Sequence, residues 1–147
     1  MRAIRKVTPT IVLGLILAPL TTRADEGTCS LASLHGTYAI QGQGTIVAQL
    51  PGFPPPPFPF AETGIVSFDG AGALSGKTTV NFNGMVLQPT FTGSYTVNSE
   101  CTATFTIQSS AGFTVHDNVV VISKKKFRSV EPDPFTVITR IGEKLED

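Results

Sequence analysis

The sequence predicts an all-β fold: a single antiparallel meander β-barrel of about seven or eight strands, with a β-sandwich as the alternative. Apolar and polar residues alternate with a period of two through most of the chain after Gly36. Short turn sequences such as Asn83-Gly84 separate the alternating segments. No segment shows a sustained helical period. A meander of this size tends to close on itself, because closure removes the exposed strand edges.

The first predicted strand covers residues 38–50, and its inner face includes Gly42 and Gly44. Two inner glycines in so long a strand indicate a sharp bend, as at a barrel corner. Residues 29–35 are predicted to form one short helical turn before this strand. The remaining predicted strands are one that ends at residue 68, one that holds residues 74–82, and those at 91–97, 101–107, 113–122 and 135–141.

The N-terminus has the three parts of a signal peptide. Arg2, Arg5 and Lys6 precede an apolar run at residues 11–20, and small residues end the segment at Ala24. The apolar run is about half as long as the roughly 20 residues that a membrane-spanning helix needs. We therefore expect a periplasmic or extracellular protein without a membrane span.

Cleavage after Ala24 would divide the chain into a signal peptide at residues 1–24 and one β-barrel domain at residues 25–147. It removes four of the 11 Lys and Arg residues and none of the 11 acidic residues, so the remaining net charge is about −4. Non-specific binding of nucleic acid depends on clustered Lys and Arg. We therefore expect no nucleic-acid partner.

Cys29 and Cys101 are the two cysteines of the chain. Their spacing matches neither a C-x-x-C redox motif nor a zinc site. An even number of cysteines in an oxidising compartment predicts a disulfide, and the alternative is two separate buried thiols.

A proline-rich loop at residues 51–60, PGFPPPPFPF, interrupts the alternation. Four consecutive prolines favour an extended polyproline II path and exclude a central strand. The loop carries Phe53, Phe58 and Phe60. Either these rings fold back and fill the rim of the barrel, or they form a lid over a cavity or a docking surface.

The sequence holds no nucleophile elbow, no H-E-x-x-H motif and no glycine-rich phosphate loop, and therefore predicts no catalytic residue, no cofactor and no metal site. His116 lies beside Asp117 on a predicted strand, where neighbouring side chains point to opposite faces. The segment at residues 69–72 offers one carboxylate, too few oxygens for calcium, and is predicted to be a turn.

Three motifs carry a resemblance to a known type of protein. They are Cys29 with Leu34-x-Gly36-x-Tyr38, then Phe68-Asp69-Gly70-Ala71-Gly72, and then Gly93-Ser94-Tyr95-Thr96-Val97 leading to Cys101-Thr102. Together they resemble an uncharacterised group of small exported bacterial proteins that look like calycin or allene-oxide-cyclase-type β-barrels. This resemblance implies a fold and no particular activity.

Residues 34–38 also resemble the L-x-G-x-W entry to the first strand of lipocalins and fatty-acid-binding proteins, with Tyr38 at the tryptophan position. Residues 139–144 are similar to the last strand of fatty-acid-binding proteins, where an Arg-x-Tyr pair holds the ligand carboxylate. Arg140 matches that arginine, and Gly142 stands where the tyrosine would be. The resemblance implies Arg140 and Tyr38 as ligand contacts, to which we add Phe53, Phe58 and Phe60 of the loop.

Two functions from different classes follow. The first is a non-catalytic protein that binds a small apolar ligand in the barrel. The second is a structural or interaction protein with a filled core, which acts through its surface and its Pro/Phe loop. The inner glycines favour the first, because they leave room inside the barrel; they are Gly42, Gly44, Gly76 and Gly93.

Overall fold

The structure is a computed structural model that describes residues 28–53 and 55–146. The predicted signal peptide lies outside these residues. The described chain forms a 3₁₀ turn at Leu31–Ser33 and nine strands: β1 (His35–Ile46), β2 (Phe58–Asp69), β3 (Ala73–Phe82), β4 (Met85–Leu87), β5 (Thr90–Val97), β6 (Thr102–Ser109), β7 (Thr114–Ser123), β8 (Lys126–Val130) and β9 (Thr136–Lys144). Within the same residues, none of the helical structure is long and apolar enough to cross a membrane.

Eight of the strands close into an antiparallel barrel. Strands β1, β2, β3, β5, β6, β7, β8 and β9 pair in that order, and β9 pairs with β1. The short strand β4 pairs with the last residues of β3, whereas β5 pairs with its first residues. The prediction of an antiparallel meander barrel is confirmed, and the sandwich alternative is not observed.

Alternation along the strands determines what the barrel encloses. In β6, Ala103 and Phe105 are buried while Thr102 and Thr104 are exposed, as the period of two predicts. The same alternation buries Tyr95 in β5. Side chains on the inner face therefore build the core, and threonines cover much of the outer face.

The two ends of the barrel differ. At the end that we call the closed end, the 3₁₀ turn covers the core, and the Tyr95 hydroxyl donates a hydrogen bond to the Leu34 carbonyl at 3.0 Å. The closed-end core consists of Leu34, Tyr38, Ile40, Val66, Phe68, Leu74, Phe91, Tyr95, Ala103, Phe105, Val119, Val121 and Phe127. At the opposite, open end the connections include residues 47–53 and 55–57, 83–84, 88–89, 110–113 and 131–135. A smaller apolar cluster lies there, formed by Ile46, Phe58, Phe60, Val80, Phe82 and Ile138.

A disulfide joins Cys29 and Cys101, as the sequence predicted. It links the segment before the 3₁₀ turn to the turn between β5 and β6 across a sequence separation of 72 residues. The N-terminal part of the domain is thereby fixed to the closed end.

The first strand is shorter than predicted and ends at Ile46 instead of residue 50. A turn follows, in which the Phe53 amide donates to the Leu50 carbonyl at 3.1 Å. Pro51 lies inside this turn and has no amide hydrogen with which to continue the strand ladder.

The second strand begins earlier than expected, because Phe58, Pro59 and Phe60 belong to β2 and not to the proline-rich loop. The Pro59 carbonyl accepts a hydrogen bond from the Asn83 amide, so the Pro59 nitrogen also faces Asn83. Strand β3 ends at Phe82, just before this position. The amide hydrogen that proline lacks would therefore have had no partner in the strand ladder.

Candidate functional site

A cavity of about 260 Å³ occupies the open end of the barrel. Most of its wall is apolar, and the apolar lining includes Ile40, Ile46, Phe60, Val80, Phe82 and Ile138. Its polar lining includes the carboxylates of Glu62, Asp117 and Glu131 and the side chain of Arg140. The site thus combines a mostly apolar wall with one charged region.

Two loops meet across the mouth of this cavity. Phe53 lies in the loop between β1 and β2, and Phe113 lies before β7, on the opposite side of the barrel. Their ring centroids are 5.9 Å apart, and Phe53 also contacts Phe82 edge-on at 4.9 Å. Phe58 is buried behind them. The aromatic rings of the proline-rich loop therefore fold onto the rim of the barrel.

Arg140 stands at the centre of the charged region and donates to three carboxylates. Its Nε donates to Glu62, its Nη1 to Asp117 Oδ1 at 2.7 Å, and its Nη2 to Glu131 Oε2 at 2.8 Å. All four side chains are at most 10% exposed. The guanidinium carbon also lies 5.9 Å from the centre of the Phe60 ring. We call Arg140 and its three carboxylates the charged cluster.

The strand register explains why these groups meet. Glu62 lies in β2 and Arg140 in β9, on either side of β1, and both are opposite Gly42. A Cβ atom on Gly42 would overlap Glu62 Oε1 and press on Arg140 Cγ. Asp117 projects inward from β7, and Glu131 follows the end of β8.

The charged cluster carries more negative than positive charge when its carboxyl groups are ionised. Burial raises the pKa of Asp117 to about 6; Arg140 opposes this shift, and Glu131 and Glu62 add to it. Burial lowers the pKa of Arg140, but the three carboxylates more than reverse this effect, so the guanidinium stays protonated. With its carboxyl groups ionised, the charged cluster is therefore an anionic region of the cavity with a cation at its centre.

Ser129 lies next to this cluster. It is directly opposite Arg140 in the ladder between β8 and β9 and is 7% exposed. Among the described residues its hydroxyl has no hydrogen-bond partner. A buried hydroxyl without a partner is costly, typically by about 1–3 kcal/mol.

The residues predicted as ligand contacts are divided between the two ends. Arg140 and Phe60 line the cavity, and Phe53 and Phe58 lie at its rim. Tyr38 lies in the closed-end core instead, where its hydroxyl donates to the Lys124 carbonyl at 2.7 Å and burial raises its pKa.

Sequence reasoning missed Glu62, Asp117 and Glu131. The alternation contained a signal for two of them, because Glu62 falls in phase with Phe60 and Val66, and Asp117 falls in phase with the buried valines of β7. An acidic residue at an inward position of a barrel strand needs a buried partner.

The inner glycines do not create the cavity, contrary to the sequence argument. The Phe91 ring occupies the space over Gly76, and Glu62 and Arg140 occupy the space over Gly42. Gly44 and Gly93 lie against the backbone of the neighbouring strands. These glycines allow close approach of strands and side chains, and the room for a ligand lies between the open-end residues.

His116 and Asp117 point to opposite faces, as predicted. Asp117 is buried, whereas His116 is exposed and its Nδ1 lies 2.7 Å from Asp133 Oδ1. The Asp69 carboxylate accepts hydrogen bonds from the Ala71 and Ala73 amides, which confirms the predicted turn. In residues 28–53 and 55–146, no group of three or more His, Cys, Asp and Glu side chains is arranged to hold a metal ion.

Comparison of the chain with protein-family models, with curated proteins and with solved structures finds no match. The function is therefore argued from the cavity and the charged cluster alone.

Proposed function

We propose that this is an exported, non-catalytic binding protein that holds one small, largely apolar molecule in the open end of its barrel. The cavity is the observation that carries the proposal. A tightly packed protein interior leaves few voids larger than a water molecule, whereas this space measures about 260 Å³.

The size of the cavity indicates the size of the ligand. Cavities of roughly 150 Å³ accept benzene, and sites for drug-sized molecules begin near about 300 Å³. A ligand with one to three rings, or a short branched chain, matches this range. Barrels of eight strands are either filled by side chains or hold one small ligand, as in lipocalins, so the size of this barrel is compatible with the proposal.

Access to the cavity is through the loops at the open end. Phe53 and Phe113 contact each other across the mouth through a single ring pair, and no strand ladder joins their loops. A displacement of one loop is enough to separate the two rings. We therefore assign the proline-rich loop the role of a cover that admits the ligand.

Export is supported by the disulfide. Disulfides form and persist in oxidising compartments, whereas cysteines in the cytosol are kept reduced. Cys29 and Cys101 are joined by a disulfide. Together with the signal-like sequence of residues 1–24, this favours the periplasm or the cell exterior.

The second candidate is an interaction protein with a filled core. One observation favours it: Val120 and Ile141, which are 50% and 42% exposed, flank Arg128 on the outer face of β7, β8 and β9. The packed aromatic core of the closed end is also consistent with a structural role. In this reading the outer face, and not the cavity, would contact a partner.

Binding of a neutral fluorescent dye, N-phenyl-1-naphthylamine, tests the first candidate. We expect one dye molecule per chain and loss of binding in Val80→Phe, which adds a ring inside the cavity. Val86→Phe is the control, since Val86 is exposed on β4. Native mass spectrometry of protein from the producing cells, followed by organic extraction, would identify the natural ligand. Absence of both dye binding and an extractable ligand would overturn the proposal in favour of the interaction protein.

A further inference from the structure

The polar part of the cavity indicates which ligands it selects. Three carboxylates surround one guanidinium, so full ionisation leaves two negative charges uncompensated inside the barrel. An uncompensated charge in a protein interior is destabilising by several kcal/mol. A ligand that brings a positive charge reduces this cost, whereas an anionic ligand increases it.

Hydrogen bonding leads to the same conclusion. Each carboxylate uses one oxygen for Arg140, and its second oxygen remains for another donor. A group with several N–H donors, such as a primary ammonium, can bond two of these carboxylate oxygens at once.

The geometry points to an organic cation as the ligand: a compact apolar body carrying a protonated amine, with the ammonium beside Asp117 and Glu131 and the apolar body against the open-end residues. This inference rests on the proposed function and adds the chemical class of the ligand. It reverses the role that the resemblance to fatty-acid-binding proteins implies for Arg140. The guanidinium already bonds three carboxylates of the protein itself, and it holds them in place instead of binding a ligand carboxylate.

The apolar wall agrees with this division of the ligand. Ile46, Val80 and Ile138 surround the side of the cavity that faces the mouth, and Asp117 and Glu131 lie in its wall with Arg140. Phe60 lies between the two regions, with the Arg140 guanidinium 5.9 Å from its ring. An aromatic face of this kind also favours a neighbouring ligand cation.

Competition against N-phenyl-1-naphthylamine tests the inference with three probes that share a phenyl group and a short chain. These are 2-phenylethylamine, 2-phenylethanol and phenylacetate. At pH 7.5 we expect the amine to displace the dye with a Kd about tenfold or more below that of the alcohol, and phenylacetate to compete least. If the dye does not bind and no ligand can be extracted from the native protein, the proposed function fails. If the dye binds but the alcohol or phenylacetate competes as well as the amine, this inference fails and the proposed function stands.

Variants assign the preference to the charged cluster. Asp117→Asn and Glu131→Gln each remove one buried negative charge and keep an oxygen that accepts from Arg140. We expect each to reduce the preference for amine over alcohol to about threefold or less. Glu143→Gln is the matched control, because it removes one negative charge from the exposed pair with Lys126. An unchanged preference in both cluster variants, or an equal loss in Glu143→Gln, would overturn the assignment.

Discussion

Gly42 on β1 lies directly opposite Arg140 on β9 and directly opposite Glu62 on β2. The absence of a side chain at this position lets the two long charged side chains meet across the strand that separates them. The charged cluster therefore depends on a residue that takes no part in its hydrogen bonds.

Gly42→Ala tests this relationship. The added methyl would overlap Glu62 Oε1 and press on Arg140 Cγ, so we expect a loss of about 1–3 kcal/mol in the free energy of unfolding. Urea unfolding followed by circular dichroism measures the change. Gln43→Ala, at the neighbouring exposed position of β1, is the control. Equal stability of the two variants would show that the cluster tolerates a side chain at position 42.

The sequence could predict the fold because its signals are local. Alternation in each strand identifies the inward residues, and Asp69 and Asn83-Gly84 mark turns whose chemistry involves adjacent residues. Strands β4 and β8 escaped prediction because their three and five residues are too few to show a period.

The candidate site could be predicted only in part, because it depends on closure of the barrel. Arg140 was identified by resemblance, but its partners come from positions 9 to 78 residues away in the chain. The strand register determines which inward residues of β2, β7 and β9 lie at the same height along the barrel axis. No local pattern in one sequence specifies that register across the barrel.

Arg140→Met tests whether the guanidinium holds the cluster together. At neutral pH the change leaves three buried carboxylates without their cation, and we expect a loss of about 3–5 kcal/mol in the free energy of unfolding. The loss should become smaller in acid, where protonation removes the unpaired charges. Arg128→Met, on the exposed face of β8, should change stability by no more than about 0.5 kcal/mol. Similar effects of the two variants would exclude a structural role for Arg140.

Ser129→Ala should stabilise the protein by about 1 kcal/mol, because it removes a buried hydroxyl that has no partner in the described part of the chain. Ser67→Ala is the matched comparison, since the Ser67 hydroxyl bonds Thr37 Oγ1 at 2.9 Å. That variant should lose about 0.5–1.5 kcal/mol. Thermal and urea unfolding without added ligand measure both changes. A loss in Ser129→Ala equal to that in Ser67→Ala would mean that solvent already satisfies the hydroxyl.

Replacement of both Cys29 and Cys101 by serine should lower the free energy of unfolding by roughly 4 kcal/mol, the loop-closure value for a separation of 72 residues. Reduction of the wild-type protein with dithiothreitol should reproduce the same loss. Urea midpoints of the oxidised, reduced and substituted proteins provide the comparison. If the reduced protein kept the stability of the oxidised one, the bond would constrain the unfolded chain less than its span implies.

Asp117→Asn should change how stability depends on pH. The pKa of Asp117 is raised from 3.8 to about 6 in the folded protein, mainly by burial. The folded state therefore holds this proton more tightly than the unfolded state does. The resulting stabilisation is fully present below pH 3.8 and is lost as the pH rises through about 6.

One pKa unit corresponds to about 1.4 kcal/mol, so the wild-type protein should lose roughly 3 kcal/mol relative to Asp117→Asn between pH 3.5 and pH 7.5. Urea unfolding of both proteins at the two pH values gives this difference, and the titrating groups outside the charged cluster largely cancel. For Asp69→Asn the effect should have the opposite sign: the wild-type protein should gain stability relative to this variant as the pH rises. The reason is that the backbone amides of Ala71 and Ala73 lower the pKa of the exposed Asp69. A pH-independent difference between wild type and Asp117→Asn would mean that Asp117 is no harder to ionise in the barrel than in the unfolded chain.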